Sequence, residues 1–267
     1  MSATFEVDIE GVGVWSPELP NWDAARAALC GIVRAAADPA TRPAPTLLPP
    51  TERRRAPEAV LLAIEVAQQA CAMAGREPGE LAHVFASAYG DLAVNDYLCA
   101  TLARAPLEVS PTRFHNSVHN APAGYWAIAT GCMRSSTAIS AGAATFGAGL
   151  LEAALFAHSE SAPVLLAAYD VAAVGPLQGA IACRSRFAAA LVVAPRSARA
   201  HARLRLRLRA HANAAELAPS ATLLQASHRD NPAARCLPLL AALARRESGV
   251  LQVAAGSSAG LEVEISF

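Results

Sequence analysis

The hydrophobic pattern of this chain changes repeatedly between the period of a strand and the period of a helix. Residues 5–15 alternate apolar side chains with glycine and acidic residues, which predicts a strand, whereas residues 58–75 follow the 3.6-residue period of a helix. Further strands are predicted at 83–89, 136–141, 163–168, 187–194, 202–209 and 261–267. Because strands alternate with helices almost throughout, the sequence predicts an α/β layered fold.

The composition excludes several classes of function. The chain has 267 residues, of which 54% are hydrophobic and 16% charged, so it is long and apolar enough for a sizeable core. Its 22 basic and 22 acidic residues cancel, which argues against a general polyanion binder. No lysine is present, which removes Schiff-base chemistry and a Walker-type phosphate loop. We expect no cofactor.

Cysteine usage and hydropathy favour a cytoplasmic protein. The six cysteines are widely spaced without a CxxC pair, and we expect them to be reduced thiols. The first residues lack the basic start and apolar segment of a signal peptide. Residues 137–157 are about as long as a membrane span, but alanine and glycine dominate them and Glu152 lies within. We therefore expect a buried strand and helix there, and no membrane span.

Three local patterns carry weak functional signals. Four arginines alternate with leucines over residues 202–209, which predicts a half-exposed strand whose basic face is solvated or faces a partner rather than nucleic acid. His115 and His119 are four residues apart, a spacing that could hold a metal on one helix, but no third ligand is nearby and we predict no metal site. The pair Gly11 and Gly13 lacks the third glycine of a dinucleotide fingerprint.

The stretch from 110 to 153 resembles the N-terminal half of the β-ketoacyl synthases, which belong to the thiolase superfamily. The matching elements are Ser110-Pro111, Asn120-Ala121-Pro122-Ala123-Gly124, Gly131, Thr137-Ala138-Ile139-Ser140 and Glu152-Ala153. Segments 9–17, 86–91, 164–170 and 187–195 resemble further family elements in the family's order. The similarity covers roughly residues 5–210. It predicts a single domain over 1–267, in which about 211–267 are a shortened C-terminal extension.

The chain departs from the family at the catalytic residues. Ketosynthases carry a nucleophilic cysteine in a pattern like Ser-Thr-Ala-Cys-Ser-Ser, whereas alignment on Ser140 and Glu152-Ala153 puts Ala143 in the nucleophile position. Alignment on Ser136-Thr137-Ala138 would instead put Ile139 there, so neither alignment offers a thiol. A hydrocarbon side chain cannot attack a thioester. The family's C-terminal half also supplies two histidines, but His211 and His228 have neither the HGT nor the GHxxGAAG context. We therefore predict a chain without catalysis of its own.

The resemblance implies a thiolase-like half, with a five-stranded mixed sheet packed between helices. Residues Ser136, Thr137, Ala138, Ile139, Ser140 and Ala141 would form an edge strand, through which ketosynthases pair with a partner subunit. The family's segment at 112–126 helps to wall the partner's acyl tunnel. Four residues are candidates to set the depth of that tunnel, although Phe114 and Trp126 could equally be core aromatics: Arg113, Phe114, Tyr125 and Trp126.

These features predict a chain-length-factor-like subunit of a type II fatty acid or polyketide synthase, similar to the truncated proteins of aryl polyene pathways. Its partners would be an active β-ketoacyl synthase and an acyl carrier protein, whose contact with the arginines of 203–209 is a hypothesis. One alternative is a divergent acyltransferase that uses Cys132 or the pair His115 and His119. Another is a structural homodimer through the same edge strand.

Overall fold

One mixed sheet of eight strands organises the residues that the computed structural model describes, which are 4–32, 42–210, 224 and 227–267. The strands are β1 (Thr4–Trp15), β2 (Ala82–Ala86), β3 (Ser136–Ile139), β4 (Val164–Asp170), β5 (Phe187–Ala194), β6 (Ala202–Ala210), β7 (Gly249–Ala254) and β8 (Ala259–Ser266). Their order in the sheet is β3-β2-β4-β5-β1-β6-β8-β7. β2 is parallel to β3 and β4, and the other pairs are antiparallel. β3 and β7 are therefore the two edges.

Helices cover both faces of the sheet. They are α1 (Trp22–Leu29), α2 (Pro50–Arg55), α3 (Glu58–Ala74), α4 (Leu92–Arg104), α5 (Pro111–His115), α6 (Ala121–Thr130), α7 (Thr145–Glu160) and α8 (Leu237–Arg245). α3 packs against β1, β4 and β5 in one apolar cluster, and α1, α7 and α8 contribute to a second cluster on the opposite face. No helix of the described ranges is both long and apolar enough to cross a bilayer.

The sheet has eight strands rather than the five that we expected. The expected half is present as the neighbouring strands β3, β2, β4, β5 and β1, and β6, β8 and β7 extend the sheet beyond β1. The extension forms because the leucines of the alternating segment face inward: Leu204 and Leu206 are fully buried in the cluster of α7 and α8. The C-terminal segment thus completes the sheet, and β7 within it was not predicted at all.

The pair Gly11 and Gly13 serves close packing between β1 and α3. A Cβ atom placed on Gly13 would lie 2.0 Å from the carbonyl oxygen of Val66, and one on Gly11 would lie 2.1 Å from that of Ala70. Because α3 covers this part of β1 so closely, no space for a dinucleotide remains there. The glycines are explained by the approach of a helix backbone to a strand.

Two buried carboxylates of β1 are held by arginines. Glu10 is fully buried and accepts hydrogen bonds from Arg76 at 2.7 and 2.6 Å and from the hydroxyl of Ser197. Burial raises the pKa of Glu10, but these hydrogen bonds outweigh it and hold the pKa below its usual value. Asp8 is held in the same way by Arg203 at 2.8 Å. The two ion pairs therefore connect β1 to the residue that follows Gly75 and to β6.

Candidate functional site

The predicted interface strand lies at a sheet edge. β3 pairs with β2 alone, so the outer side of its backbone has no strand partner among the described residues. The strand ends at Ile139 rather than at Ala141, because the next two residues bond elsewhere. The Ser140 hydroxyl donates to the carbonyl of Ala88 at 3.0 Å, and the Ala141 amide donates to the hydroxyl of Thr145 at 2.9 Å.

Ala143 lies on a short 3₁₀ turn, Gly142–Ala144, between β3 and α7. The turn begins with Gly142 at φ +55°, a left-handed conformation that favours glycine, and Ala143 itself is exposed. The Thr145 hydroxyl donates to the Gly142 carbonyl at 2.7 Å and stiffens the turn. This strand-to-helix junction therefore presents a methyl group to solvent.

A cavity of about 420 Å³ adjoins Ala143. One wall is the 3₁₀ turn, a second is the segment from His228 to Pro238, and the third is the turn between β7 and β8. Two of the three walls come from the C-terminal extension. Sequence reasoning had assigned no role to these residues.

His228 belongs to this cavity wall and is only 3% exposed. Its Nδ1 lies 2.9 Å from the hydroxyl of Ser185, its ring packs on Phe187, and its Nε2 is 3.6 Å from a carboxylate oxygen of Glu18. Burial lowers the pKa of His228, which Glu18 only partly opposes. Its sequence signal was weak, since in the GHxxGAAG register only Ala233 keeps the residue type. The fold, not the motif, brings this histidine to the cavity.

Asp170, at the end of β4, anchors the loop that precedes α4. One carboxylate oxygen accepts from the Ser87 hydroxyl at 2.9 Å and from the amides of Ala88 and Tyr89 at 2.9 and 3.3 Å. Burial raises the pKa of Asp170 to about 7, although these hydrogen bonds oppose the shift. The Asn231 side chain, which belongs to the cavity wall, donates to the Asp170 carbonyl at 3.1 Å. Asp170 therefore also holds this part of the wall in place.

The four residues predicted to shape a tunnel have different environments. Phe114 is 65% exposed, and the guanidinium of Arg113 stacks 4.0 Å above the ring centre of Tyr97. Tyr125 is half-buried and donates its hydroxyl to Asn116 at 3.2 Å. Trp126 is fully buried with its ring 6.3 Å from that of Phe85, and this position favours its alternative interpretation as a core aromatic.

The residues of the acyltransferase alternative are not assembled into a site. His115 ends α5, whereas His119 lies in the turn before α6 and contacts the Ser87 carbonyl at 2.8 Å, so the two do not share a helix. Cys132 is buried and donates to the Leu81 carbonyl at 3.3 Å, with His83 Nδ1 at 3.8 Å. It precedes β3, whereas Ala143 follows that strand. In the part of the chain that the structure describes, no cluster of three potential metal ligands occurs.

The arginines of β6 are paired with acidic residues on both neighbouring strands. Arg205 contacts Glu6 of β1 at 2.8 Å and Glu264 of β8 at 3.2 Å. Arg207 and Arg209 both contact Glu262, at 3.4 and 3.1 Å. The basic stripe is therefore largely neutralised within its own sheet.

Large apolar side chains beside β3 are a feature that sequence reasoning missed. Ile128 of α6 is 86% exposed, and Met133, just before β3, is 95% exposed. Val118, in the turn before α6, is 51% exposed. An apolar residue in a helix or loop gives no sequence signal of its exposure, so only the fold could identify this surface.

Most of the chain matches one family of known proteins. The family described as "Beta-ketoacyl synthase, N-terminal domain" matches residues 23–256. Among curated proteins, no sequence matches the chain.

Solved structures of the same fold include complexes of ketosynthases. The ketosynthase ApeO in complex with its chain length factor ApeC from Xenorhabdus doucetiae matches at 22% identity over 97% of this chain and 98% of that chain, with a TM-score of 0.74. The type II acyl-carrier protein complex AntDE:AntF matches at 10% identity over 99% of both chains, with a TM-score of 0.78. The ishigamide ketosynthase/chain length factor matches at 16% identity over 78% and 64%, with a TM-score of 0.56.

Proposed function

Because this chain belongs to the β-ketoacyl synthase family, whose N-terminal domain matches residues 23–256, we propose that it is a non-catalytic, chain-length-factor-like subunit. It pairs with an active β-ketoacyl synthase in type II fatty acid or polyketide biosynthesis, of the aryl polyene kind. The observation that carries the proposal is the free edge of β3 together with its exposed apolar surroundings.

The edge of β3 is suited to a partner strand. An unpaired strand edge presents free backbone N–H and C=O groups that can pair with a strand from another chain, and β3 carries no charged residue that would oppose such pairing. The exposed Ile128 belongs to α6, which packs against β3, and the exposed Met133 precedes β3 by three residues. Apolar side chains of this kind form the buried centre of stable interfaces. Pairing would extend the sheet across two subunits and remove both features from water.

The absence of own catalysis rests on the turn at Ala143. A thioester condensation needs a nucleophile, and none of the described residues that line the cavity next to this turn carries a thiol. His228 is held by the Ser185 hydroxyl at 2.9 Å and by the ring of Phe187. We expect the purified wild-type chain to show no condensing activity, measured with an acyl thioester and a malonyl thioester. Robust condensation by the wild-type chain alone would overturn the proposal.

Within the assembly, Phe114 is the residue that we assign to the depth of the partner's tunnel. Phe114 is exposed on the short helix α5, whereas Trp126 is fully buried and cannot contact a partner. A bulky ring at the end of a tunnel limits chain length, because added methylenes must displace it. We expect Phe114→Ala to lengthen the products of the complex, with Trp126→Phe as a matched aromatic control. Unchanged product length in Phe114→Ala would remove this assignment.

An acyl carrier protein is the second partner in the proposal. A carrier is in complex with its ketosynthase in the AntDE:AntF structure. The arginines of β6 are a poor docking site for its acidic surface, since Glu262 and Glu264 already compensate their charge. Charge reversal at Arg205 and Arg209 should leave carrier binding to the complex unchanged.

Light scattering on the chain alone, and after co-expression with the synthase of the same source, tests the pairing. We expect a stable 1:1 complex. Ile128→Asp and Met133→Asp should weaken it at least ten-fold, because each would bury a charge at the interface. Val250→Asp is the matched control, since Val250 is 58% exposed on β7 at the opposite edge.

Light scattering also distinguishes the homodimer alternative from pairing with a synthase. If the chain forms a homodimer through β3 and does not bind the synthase, the partner at this edge is a second copy of the chain rather than the synthase. Equal complex formation by wild type, Ile128→Asp and Met133→Asp would show that β3 is not the interface.

A further inference from the structure

We propose that a second cavity, bounded by α2, α4, α5 and the first residues of α3, binds the phosphomonoester of a small polyol. This cavity has a volume of about 500 Å³, and none of the described residues lines both it and the cavity beside Ala143. The proposal concerns the chain alone and does not depend on pairing with a synthase.

Three arginines line this cavity and have N–H groups available for a ligand. Arg42 donates to the Ala56 carbonyl at 3.0 Å, a bond that occupies only one of its nitrogens. Arg113 stacks 4.0 Å above the ring centre of Tyr97, a contact that uses the flat face of the guanidinium and leaves the N–H groups at its edge. For Arg55, no hydrogen bond or ion pair occurs within the described ranges.

The two carboxylates of the cavity wall are already bound within the protein. Glu58, the first residue of α3, contacts Arg186 at 2.9 Å. Asp91 accepts hydrogen bonds from the amides of Val94 and Ala59 at 2.9 and 3.1 Å. Because these carboxylates are compensated by their own partners, they do not cancel the charge of the three arginines. The cavity therefore favours an anion.

Asn116 is an independent indication of a polar ligand. Its side chain lines the cavity and the residue is only 5% exposed. Its Oδ1 accepts from the Tyr125 hydroxyl at 3.2 Å, whereas its amide nitrogen has no hydrogen-bond partner among the described residues. A donor so deep in the wall is costly unless a ligand or water binds it. The hydroxyls of Ser110 and Thr112 line the same cavity, so several groups could bind a hydroxyl-rich ligand.

The composition of the wall and the volume narrow the class of ligand. Arginine binds phosphate through paired N–H groups, and three guanidinium groups suit a doubly charged phosphate. A volume of about 500 Å³ lies within the usual range of small-molecule sites, roughly 300–1,000 Å³, and exceeds the volume of a phosphate ion alone. The described lining residues include no aromatic ring on which a nucleobase could stack. The ligand is therefore a phosphate with a small hydroxylated body rather than a nucleotide.

Isothermal titration calorimetry of the purified chain with glucose 6-phosphate tests the site. Glucose has the same body without the phosphate, and inorganic phosphate has the charge without the body. We expect each to bind at least about ten-fold more weakly than glucose 6-phosphate. Glucose binding as tightly as its phosphate would overturn the assignment of a phosphate, and inorganic phosphate binding as tightly would overturn the assignment of a polyol body.

Two variants locate the binding. Arg55→Gln removes one cation, and Asn116→Asp keeps the shape and the acceptor for Tyr125 but puts a negative charge into the wall. Each should weaken the binding of glucose 6-phosphate at least about ten-fold. Arg54→Gln is the matched control on α2, because Arg54 is exposed and is not among the lining residues. Asn21→Asp is the control for the amide, because Asn21 caps α1 and aspartate caps a helix equally well.

The outcomes distinguish failure of this site from failure of the pairing. If glucose 6-phosphate does not bind, or binds equally to wild type, Arg55→Gln and Asn116→Asp, the site is refuted even where the synthase complex forms. If it binds in the expected order but no complex forms, the site stands and the proposed partner does not. Circular dichroism of each variant ensures that weakened binding is not loss of fold.

Discussion

Replacing Arg76 by alanine should destabilise the fold strongly, because it leaves a buried carboxylate without its cation. Glu10 is fully buried and receives both of its ionic hydrogen bonds from Arg76, so that only the Ser197 hydroxyl would remain. Removal of one partner of a buried ion pair costs about 3–5 kcal/mol. For a chain of this size, that corresponds to a fall of roughly 6–20 °C in the melting temperature.

The loss should depend on pH in a defined direction. In the wild type, Arg76 and Ser197 hold the folded pKa of Glu10 below its usual value despite burial, so its stabilising contribution is present above about pH 4.5 and is lost as the pH falls through the folded pKa. In Arg76→Ala, burial alone raises the pKa, and the folded state favours a protonated Glu10. The difference in unfolding free energy between the two proteins should therefore be larger at pH 7 than at pH 4.

Urea denaturation followed by circular dichroism at both pH values measures this difference. Arg26→Ala is the matched control, since Arg26 and Asp23 form an exposed pair at 3.8 Å that should contribute at most about 1 kcal/mol. The double variant with Glu10→Gln should recover part of the loss, because it removes the buried charge. A loss below about 1 kcal/mol in Arg76→Ala, or a loss equal at pH 4 and pH 7, would refute the reasoning.

Two further predictions test the packing of β1 and the burial of Asp170. Gly13→Ala should destabilise the chain by about 1–3 kcal/mol, because the added Cβ meets the backbone oxygen of Val66, whereas Gly124→Ala on α6 meets nothing and should be neutral or slightly stabilising by thermal denaturation. Burial raises the pKa of Asp170 to about 7, so the wild type should lose stability relative to Asp170→Asn as the pH rises from about 4 to 7. Equal pH dependence of urea denaturation in the two proteins would contradict the second prediction.

Local patterns predicted much of the secondary structure. β5 was predicted with its observed bounds, because an unbroken apolar run of this length is typical of a strand buried on both faces. The end of α3 was also predicted, because glycine often follows the last residue of a helix. In the structure Gly75 directly follows Ala74 and has φ +60°. Both features depend only on residues close in sequence.

The number of strands was wrong because it depends on contacts distant in sequence. The alternation of arginine and leucine predicted β6 itself, but its place beside β1 follows from pairs such as Arg203 with Asp8, which are far apart in the chain. β7 was missed because only one of its six residues is buried and the segment shows no clear alternation. No local pattern could show that these strands join the first sheet.

The candidate site was predicted in part for the same reason. Ala143 followed from a gapless alignment, and the structure shows it on an exposed turn after the edge strand. The cavity beside it could not be predicted, because His228 and Val253 reach it from the other end of the chain. The exposure of Ile128 and Met133 also depends on which helix face the fold leaves uncovered.

Ala143 and the surroundings of β3 have opposite energetic consequences for the chain. Ala143 is exposed and belongs to neither apolar cluster, so a thiol at this turn can be replaced by a methyl group with little effect on packing. The free edge of β3 and the exposed Ile128 and Met133 are unfavourable in a chain that remains alone, because they invite aggregation. Such a surface is favourable only when another subunit covers it. The combination therefore fits the proposed partner subunit, whose exposed edge and apolar side chains another chain would cover.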